Sequence, residues 1–200
     1  MIVITNPSSI EDEINIINSL FEEGLSLLHI RKPEFSEYEM ASFIHQIKLE
    51  HRSKLVLHNH HQMAEDFGIN RFHFSEKERK NEVGHPAKFS KPCRYNSTST
   101  HSIEDFNSLE NDFDYAFLSP VYTSISKQNY HPKTNLFEAL KSRTNFNTKV
   151  IALGGIDSEN IEKTLENGFD DVALLGNIWN DKNPIKQFKL CHKIVRSYLV

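Results

Sequence analysis

The sequence predicts an α/β protein, a single (β/α)8 barrel over residues 1–200, and three observations carry that expectation. Short apolar runs alternate eight times with apolar residues at helical spacing. No linker or low-complexity stretch divides the chain. No GxGxxG turn follows any of the runs, which favours a closed TIM-type barrel over a doubly wound open sheet. The repeat averages about 25 residues, which is tight for such a barrel but allowed.

The first unit pairs the run 2–5 with a helix carrying Ile10, Ile14, Ile17 and Phe21; Ser8 and Glu11 stand in capping-box positions and Gly24 as the stop. The run Leu25 to Ile30 follows, then Ser36 and Glu39 as a second box ahead of Met40, Phe43, Ile44 and Ile47. Leu55 to Leu57 is the third strand, with a helix through Met63, Ala64 and Phe67 that stops at Gly68. Arg71 to Phe74 is a fourth strand, and the charged EKERKNE after it has room for a turn of helix. Residues 93–97 are polar for a fifth strand, and His101 to Leu109 reads as helix. Tyr115 to Leu118, Val150 to Leu153 and Val172 to Leu175 complete the strands; the seventh is an unbroken apolar run of the buried parallel type. Their helices are expected near 135–142, after Asp157 as N-cap with Ile161 and Leu165 on one face, and over 184–198 with Phe188, Cys191, Ile194 and Val195 inward.

Composition limits the partners. A net charge of −4 argues against nucleic acid or an anionic membrane surface. The opening segment 1–5 is too short for a signal core and no apolar run approaches a membrane span, so the expectation is a cytoplasmic protein. Cys93 and Cys191 lack metal-ligand spacing and are expected as free, partly buried thiols. Histidines are numerous: His58, His60 and His61 fall together, with His29 and His73 in nearby segments. If the chain is extended there, His58 and His60 share a side and, with Glu78, would suit zinc or iron better than magnesium. The alternative, commoner for such clusters, is a neutral hydrogen-bonded lining.

In a barrel, ligand chemistry sits at the strand C-termini and on the loops after them. Gly154-Gly155 follows the seventh run and Leu175-Gly176-Asn177 ends the eighth. Glycines let backbone N–H groups approach an anion, and a helix beginning just beyond adds its positive end, so the two turns read as a phosphate site. Arg31-Lys32 after the second run reads as a phosphate or diphosphate clamp, or else as a solvated rim pair. The long loop 119–134, with Ser124, Ser126 and Lys127, suits a lid over an anionic substrate.

Seven pieces stand in order at these strand ends: HIRKP at 29–33, LVLHNH at 55–60, FHFSEKE at 72–78, STSTHS at 97–102, SPVYTSISK at 119–127, IALGGI at 151–156 and VALLGNIW at 172–179. Together they resemble the thiamine phosphate synthase / thiazole tautomerase (TenI-type) family over essentially the whole length. The resemblance implies a transferase of thiamine biosynthesis that joins hydroxymethylpyrimidine diphosphate to thiazole phosphate and releases diphosphate. It implies that Arg31, Ser99 and Lys127 hold the pyrimidine diphosphate, and that Ser124 to Ser126, Gly155, Leu175 and Gly176, beside Gly154, hold the thiazole phosphate. Mg2+ would sit at Asn59 and Glu78, and His29, Lys32, His58 and His101 complete the expected substrate-binding set. The implied partners are small phosphorylated substrates, and a homodimer is compatible with the family.

The departures are specific. The family has Asn-Asp where this chain has His58-Asn59, so a neutral amide replaces a magnesium-binding aspartate; the second such aspartate falls at Glu78. A basic position is Pro33, with Lys32 as its substitute, and a usual glutamine is His29. The tautomerase branch carries its catalytic histidine where this chain has Pro120, although HIR at 29–31 is similar to that branch. The balance favours the synthase; a tautomerase-like isomerase and a non-catalytic thiazole or thiamine phosphate-binding barrel are the alternatives.

Overall fold

Apolar residues bounded by turns form strands, and here the strands close on themselves. The computed structural model describes residues 1–81, 94–123 and 134–198. Its strands are β1 (Ile2–Ile4), β2 (Leu27–Ile30), β3 (Leu55–Leu57), β4 (Arg71–Phe74), β5 (Tyr95–Thr100), β6 (Tyr115–Leu118), β7 (Lys149–Leu153) and β8 (Asp171–Leu174). Each pairs in parallel with the next, and β8 returns to β1, which leaves the sheet no open edge. The helices are α1 (Glu13–Glu22), α2 (Glu37–Gln46), α3 (Glu76–Asn81), α4 (Ile103–Asn107), α5 (Leu136–Leu140), α6 (Ile161–Glu166), α7 (Gly176–Trp179) and α8 (Pro184–Tyr198). Among the described residues no helix is long and apolar enough to cross a membrane.

Strand side chains alternate between two interiors. Val3, Leu28, Leu57, Leu118, Ala152 and Val172 face outward and pack with Ile17, Leu20, Met40, Ile44, Phe106, Ile161 and Phe188 of the helices. Ile2, Ile4, Tyr115, Phe117, Ile151 and Ala173 form a separate cluster inside the ring. Fully burying one such side chain contributes about 1.5–3 kcal/mol, so both shells stabilise closure.

The polar strand β5 survives because nearly every side chain on it finds a partner. Thr98 Oγ1 donates to the Phe74 carbonyl at 2.8 Å and Thr100 Oγ1 to the Phe117 carbonyl at 3.0 Å, while the Asn96 amide group donates to the Asp112 carbonyl at 3.2 Å. The two threonine bonds lie between neighbouring strands and offset the burial of the hydroxyls. The strand therefore runs to Thr100, further than residues 93–97.

The structure corrects several local expectations. Ser8 and Glu11 make no capping box: α1 starts at Glu13 after Asp12, which takes a left-handed φ of 60° without a side-chain cap. The box at Ser36 and Glu39 does form. Residues 61–67 fold as two short 3-10 turns, His61–Met63 and Glu65–Phe67, rather than one helix. The N-cap of α6 is Asn160; Asp157 instead accepts from the Glu159 N–H in a tight turn. Cys191 is a buried free thiol whose pKa burial pushes up to about 12, and Cys93 lies outside the described residues.

Candidate active site

At the C-terminal end of the barrel lies a cavity of about 590 Å³, walled by residues from the ends of all eight strands or the loops after them. The alternation of each strand continues past its end and decides what enters. On β2, His29 points into the ring, Ile30 out, Arg31 into the cavity and Lys32 out again. Thr5 fixes that end of the strand, its hydroxyl accepting from the Arg31 N–H at 2.9 Å. The Arg31 guanidinium is thereby presented to the cavity, and among the described residues it makes no ion pair.

Lys32 is not a phosphate clamp. Its side chain is fully buried behind the wall, with Nζ 2.7 and 2.8 Å from the two Glu13 carboxylate oxygens and 2.9 Å from the Ser8 carbonyl. Burial raises the Glu13 pKa and lowers that of Lys32, and their contact opposes both shifts. The pair ties α1 to the end of β2. Lys32 therefore cannot substitute for the basic residue missing at Pro33. The second cation in the cavity wall without an ion pair among the described residues is Lys77, at the start of α3 within a charged run.

The floor is a histidine cluster. His29 Nδ1 lies 2.9 Å from His58 Nε2, and His29 Nε2 lies 2.7 Å from the Tyr115 hydroxyl. His73 bonds Ser97 Oγ through Nδ1 at 2.9 Å and Ser99 Oγ through Nε2 at 3.0 Å. The His58 and His73 rings stack with centroids 4.2 Å apart, and Phe117 closes on His29 and His73 at 4.9 and 5.1 Å. Burial holds His29 and His58 neutral, far below the usual range; it lowers His73 to about 3, and Arg31 adds to the suppression of His58 and His73. His58 and His73 line the cavity, whereas His29 is fully buried one layer below and does not line it. Its expected place in the substrate-binding set is corrected to that of a support for His58. His73 was noted in the sequence but not selected. Its inward parity on β4, shared with Ser97 and Ser99 on β5, was the available signal.

His60 does not join this cluster. It takes a left-handed φ of 55°, which ends the extended run, and its Nε2 donates to the Phe35 carbonyl at 2.7 Å. His61 turns back on β3, its Nε2 donating to the Leu57 carbonyl at 3.0 Å. His101 lines the cavity with Nδ1 donating to the Ser119 carbonyl at 2.8 Å, which leaves Nε2 on the side of Glu76, 3.7 Å away.

Across the cavity stand the glycine turns. Gly154 and Gly155 have φ of 100° and 67°, a region costly for other residues. A side chain at Gly154 would meet Pro120 at 3.0 Å, and one at Gly155 would collide with the Thr123 carbonyl. The Tyr122 N–H donates to the Gly154 carbonyl at 3.0 Å, so the loop after β6 is laid directly on this turn. At the neighbouring strand end, Leu175 precedes α7, and the Trp179 indole N–H donates to the Ile4 carbonyl at 2.6 Å. That bond seats the short helix, with Leu175, Gly176 and Asn177 in the cavity wall. Asn177, read from the sequence as part of that turn, lies in the first turn of α7.

Two oxygen donors stand near the cations. Asn59 donates through Nδ2 to the Lys32 carbonyl at 3.1 Å. A carbonyl can only accept, so the bond fixes which way the amide faces and leaves Oδ1 buried without a hydrogen-bond partner. Glu78 lines the wall with one oxygen, Oε2, taken by the Ser75 N–H and hydroxyl at 2.8 and 2.6 Å in a capping box at α3. Its other oxygen has no bond among the described residues. A buried orphan amide oxygen and a half-used carboxylate suit a hard cation, with less negative charge than two aspartates would bring.

The structure thus brings together Arg31, His58, Asn59, Glu78, Ser99, His101, Gly154, Gly155, Leu175 and Gly176 around one cavity; Lys32 adds to its wall but turns its ammonium away to Glu13, and His29 does not line it. Ser124, Ser126 and Lys127 lie outside the described residues.

Comparison with known proteins agrees with the barrel fold and shows the family. Residues 1–178 match the family model TMP-TENI, described as thiamine monophosphate synthase. The chain is similar to the thiamine-phosphate synthase of Caldicellulosiruptor saccharolyticus, with 22% identity covering 92% of this chain and 85% of the relative. It is similar also to that of Methanobrevibacter smithii, with 23% identity and 94% of each chain covered. Among solved structures, thiamine phosphate pyrophosphorylase from Bacteroides thetaiotaomicron superimposes with a TM-score of 0.77 at 30% identity, covering 98% of this chain and 97% of the other. The Pyrococcus furiosus protein of the same name, at 20% identity and a TM-score of 0.80 over 100% and 96%, shares the fold.

Proposed function

We propose that this chain, which belongs to the thiamine monophosphate synthase family, is a transferase that joins hydroxymethylpyrimidine diphosphate to thiazole phosphate and releases diphosphate. The observation that carries this reading is a cavity with two anion-compatible sides. Arg31 and Lys77, without an ion pair among the described residues, stand on the β2 and β4 side, and the Gly154-Gly155 and Gly176-Asn177 backbones stand opposite.

In this reading Arg31 and Ser99 hold the diphosphate, and the glycine turns hold the thiazole phosphate through backbone N–H groups. The bond between the pyrimidine methylene and the diphosphate oxygen breaks, and its electron pair leaves on diphosphate. The thiazole ring nitrogen supplies a lone pair to form the new carbon–nitrogen bond. Cations aimed at the departing oxygens stabilise the charge that grows there. No side chain has to take a proton, which suits a floor of histidines held neutral. Asn59 Oδ1 and the Glu78 carboxylate would hold Mg2+ together with diphosphate oxygens. When bound there, magnesium neutralises charge on the leaving group.

Incubation of the protein with both substrates and magnesium should yield thiamine phosphate, followed by chromatography. Arg31→Ala is expected to lower turnover about 10²–10³-fold, as loss of a charge-stabilising donor does, and Lys127→Ala to do the same. Chelation of magnesium should stop the reaction. A folded wild-type protein that forms no thiamine phosphate at any magnesium concentration would end the transferase reading in favour of an isomerase or a phosphate-binding barrel.

A further inference from the structure

We propose that His29, His58 and His73 form a site for a borderline divalent transition metal of the Zn2+, Co2+ or Fe2+ class on the cavity floor, separate from the oxygen donors Asn59 and Glu78. The three residues come from adjacent strands β2, β3 and β4, all at inward positions, and offer ligand nitrogens within 4.8 Å of one another. His29 Nδ1 and His58 Nε2 are already 2.9 Å apart. Two nitrogens of a tetrahedral zinc site, each 2.0–2.1 Å from the ion, stand about 3.3 Å apart, so this pair is nearly at ligand spacing.

The groups behind the rings are those a metal site needs. A ligating imidazole is oriented by a hydrogen bond to its other nitrogen. Tyr115 holds Nε2 of His29, freeing Nδ1, and Ser97 holds Nδ1 of His73, freeing Nε2 for exchange from Ser99 to an ion. With the metal bound, the ring protons sit on His29 Nε2, donated to Tyr115 Oη, on His58 Nδ1 and on His73 Nδ1. Buried imidazoles held neutral have no proton to shed before they ligate. Imidazole nitrogens suit zinc, iron and cobalt, not magnesium.

Drawing the third nitrogen in requires the stacked His58 and His73 rings to turn out of parallel. His58 is the member only half-buried, so it has room to move on its cavity side. The fourth coordination position then opens toward the cavity, where Ser99, water or a bound ligand would fill it. Arg31 lies close enough to repel protons from His58 and His73, and an anion in the cavity offsets the same repulsion of a metal.

The test does not depend on transferase activity. Tag-free protein is stripped with a chelator and titrated with Co2+ in phosphate-free buffer and again with inorganic phosphate, and visible absorption is recorded. One equivalent per chain with the bands of four- or five-coordinate cobalt, displaced by Zn2+ but not by excess Mg2+, is expected. His58→Gln and His73→Gln should weaken binding more than about 100-fold, beyond the effect of losing a supporting hydrogen bond. His60→Gln should bind like wild type. Zn2+ should also raise the thermal unfolding temperature of the wild type. A folded wild-type protein with no stoichiometric cobalt spectrum in either buffer overturns the proposal, as do bands that persist unchanged in His58→Gln.

Discussion

Strands β1, β6, β7 and β8 fill the lumen with Ile2, Ile4, Phe117, Ile151 and Ala173, whereas β2 to β5 fill it with His29, His58, His73, Ser97 and Ser99. The apolar half is fully enclosed, the polar half opens to the cavity at His58 and Ser99, and the two are held by different forces. The apolar half is fixed by shape and by removal of surface from water, neither of which depends on pH. The polar half is fixed by matching donors to acceptors, and its members can exchange partners with a ligand at little loss. Tyr115 joins the halves, its ring packed with the apolar cluster and its hydroxyl on His29. A barrel of this kind separates stability from chemistry by strand rather than only by depth.

That contrast can be broken first at Phe117, where the halves meet. Phe117→Ala removes the ring that packs on His29, His73 and Tyr115, and is expected to destabilise the fold by about 3–5 kcal/mol. Chemical denaturation would measure it, and a loss below about 1 kcal/mol would mean that the boundary is not close-packed.

Within the lumen, acid should act through the polar half. Burial depresses His29, His58 and His73 below the ordinary imidazole value of about 6.5, His73 to about 3. The unfolded chain therefore takes up these protons first as pH falls below 6.5. The stability they contribute is present above that pH and lost progressively toward the folded values. Between pH 7.5 and 5.5 the loss is about 1.4 kcal/mol for His73, and His29 and His58 add to it in the same direction. Urea midpoints at the two pH values would show it; equal midpoints would mean that the histidines are not neutral in the folded state.

The smallest effect sharpens the comparison. Ser97→Ala leaves His73 Nδ1 without its partner and should cost about 1–3 kcal/mol, more than truncating a serine at the surface. Thermal melts of Ser97→Ala beside Ser99→Ala would separate the buried bond from the cavity-facing one. Equal, negligible losses would mean that the polar half is not held by matched bonds.

Legibility followed locality. The glycine turn at 154–155 was readable because a left-handed turn needs glycine wherever it occurs. The capping box at Ser36 and Glu39 was readable because its partners are three residues apart, yet the same pattern at Ser8 and Glu11 failed. There the chain turns left-handed at Asp12, and the Ser8 carbonyl serves Lys32 instead. Arg31 was correctly placed at the cavity, and Lys32 beside it was not, because one step along an extended chain reverses the side chain.

By itself the sequence determined the eightfold alternation, the closed parallel barrel and the strand ends at which chemistry gathers, since periodicity and turn chemistry act over a few residues. Only the tertiary structure decided which inward residues share a level of the lumen and which charges face each other. Lys32 meets Glu13 across 19 positions of sequence and His29 meets Tyr115 across 86. Strand stagger around the ring and the docking of α1 set those encounters, and neither is written in any local pattern.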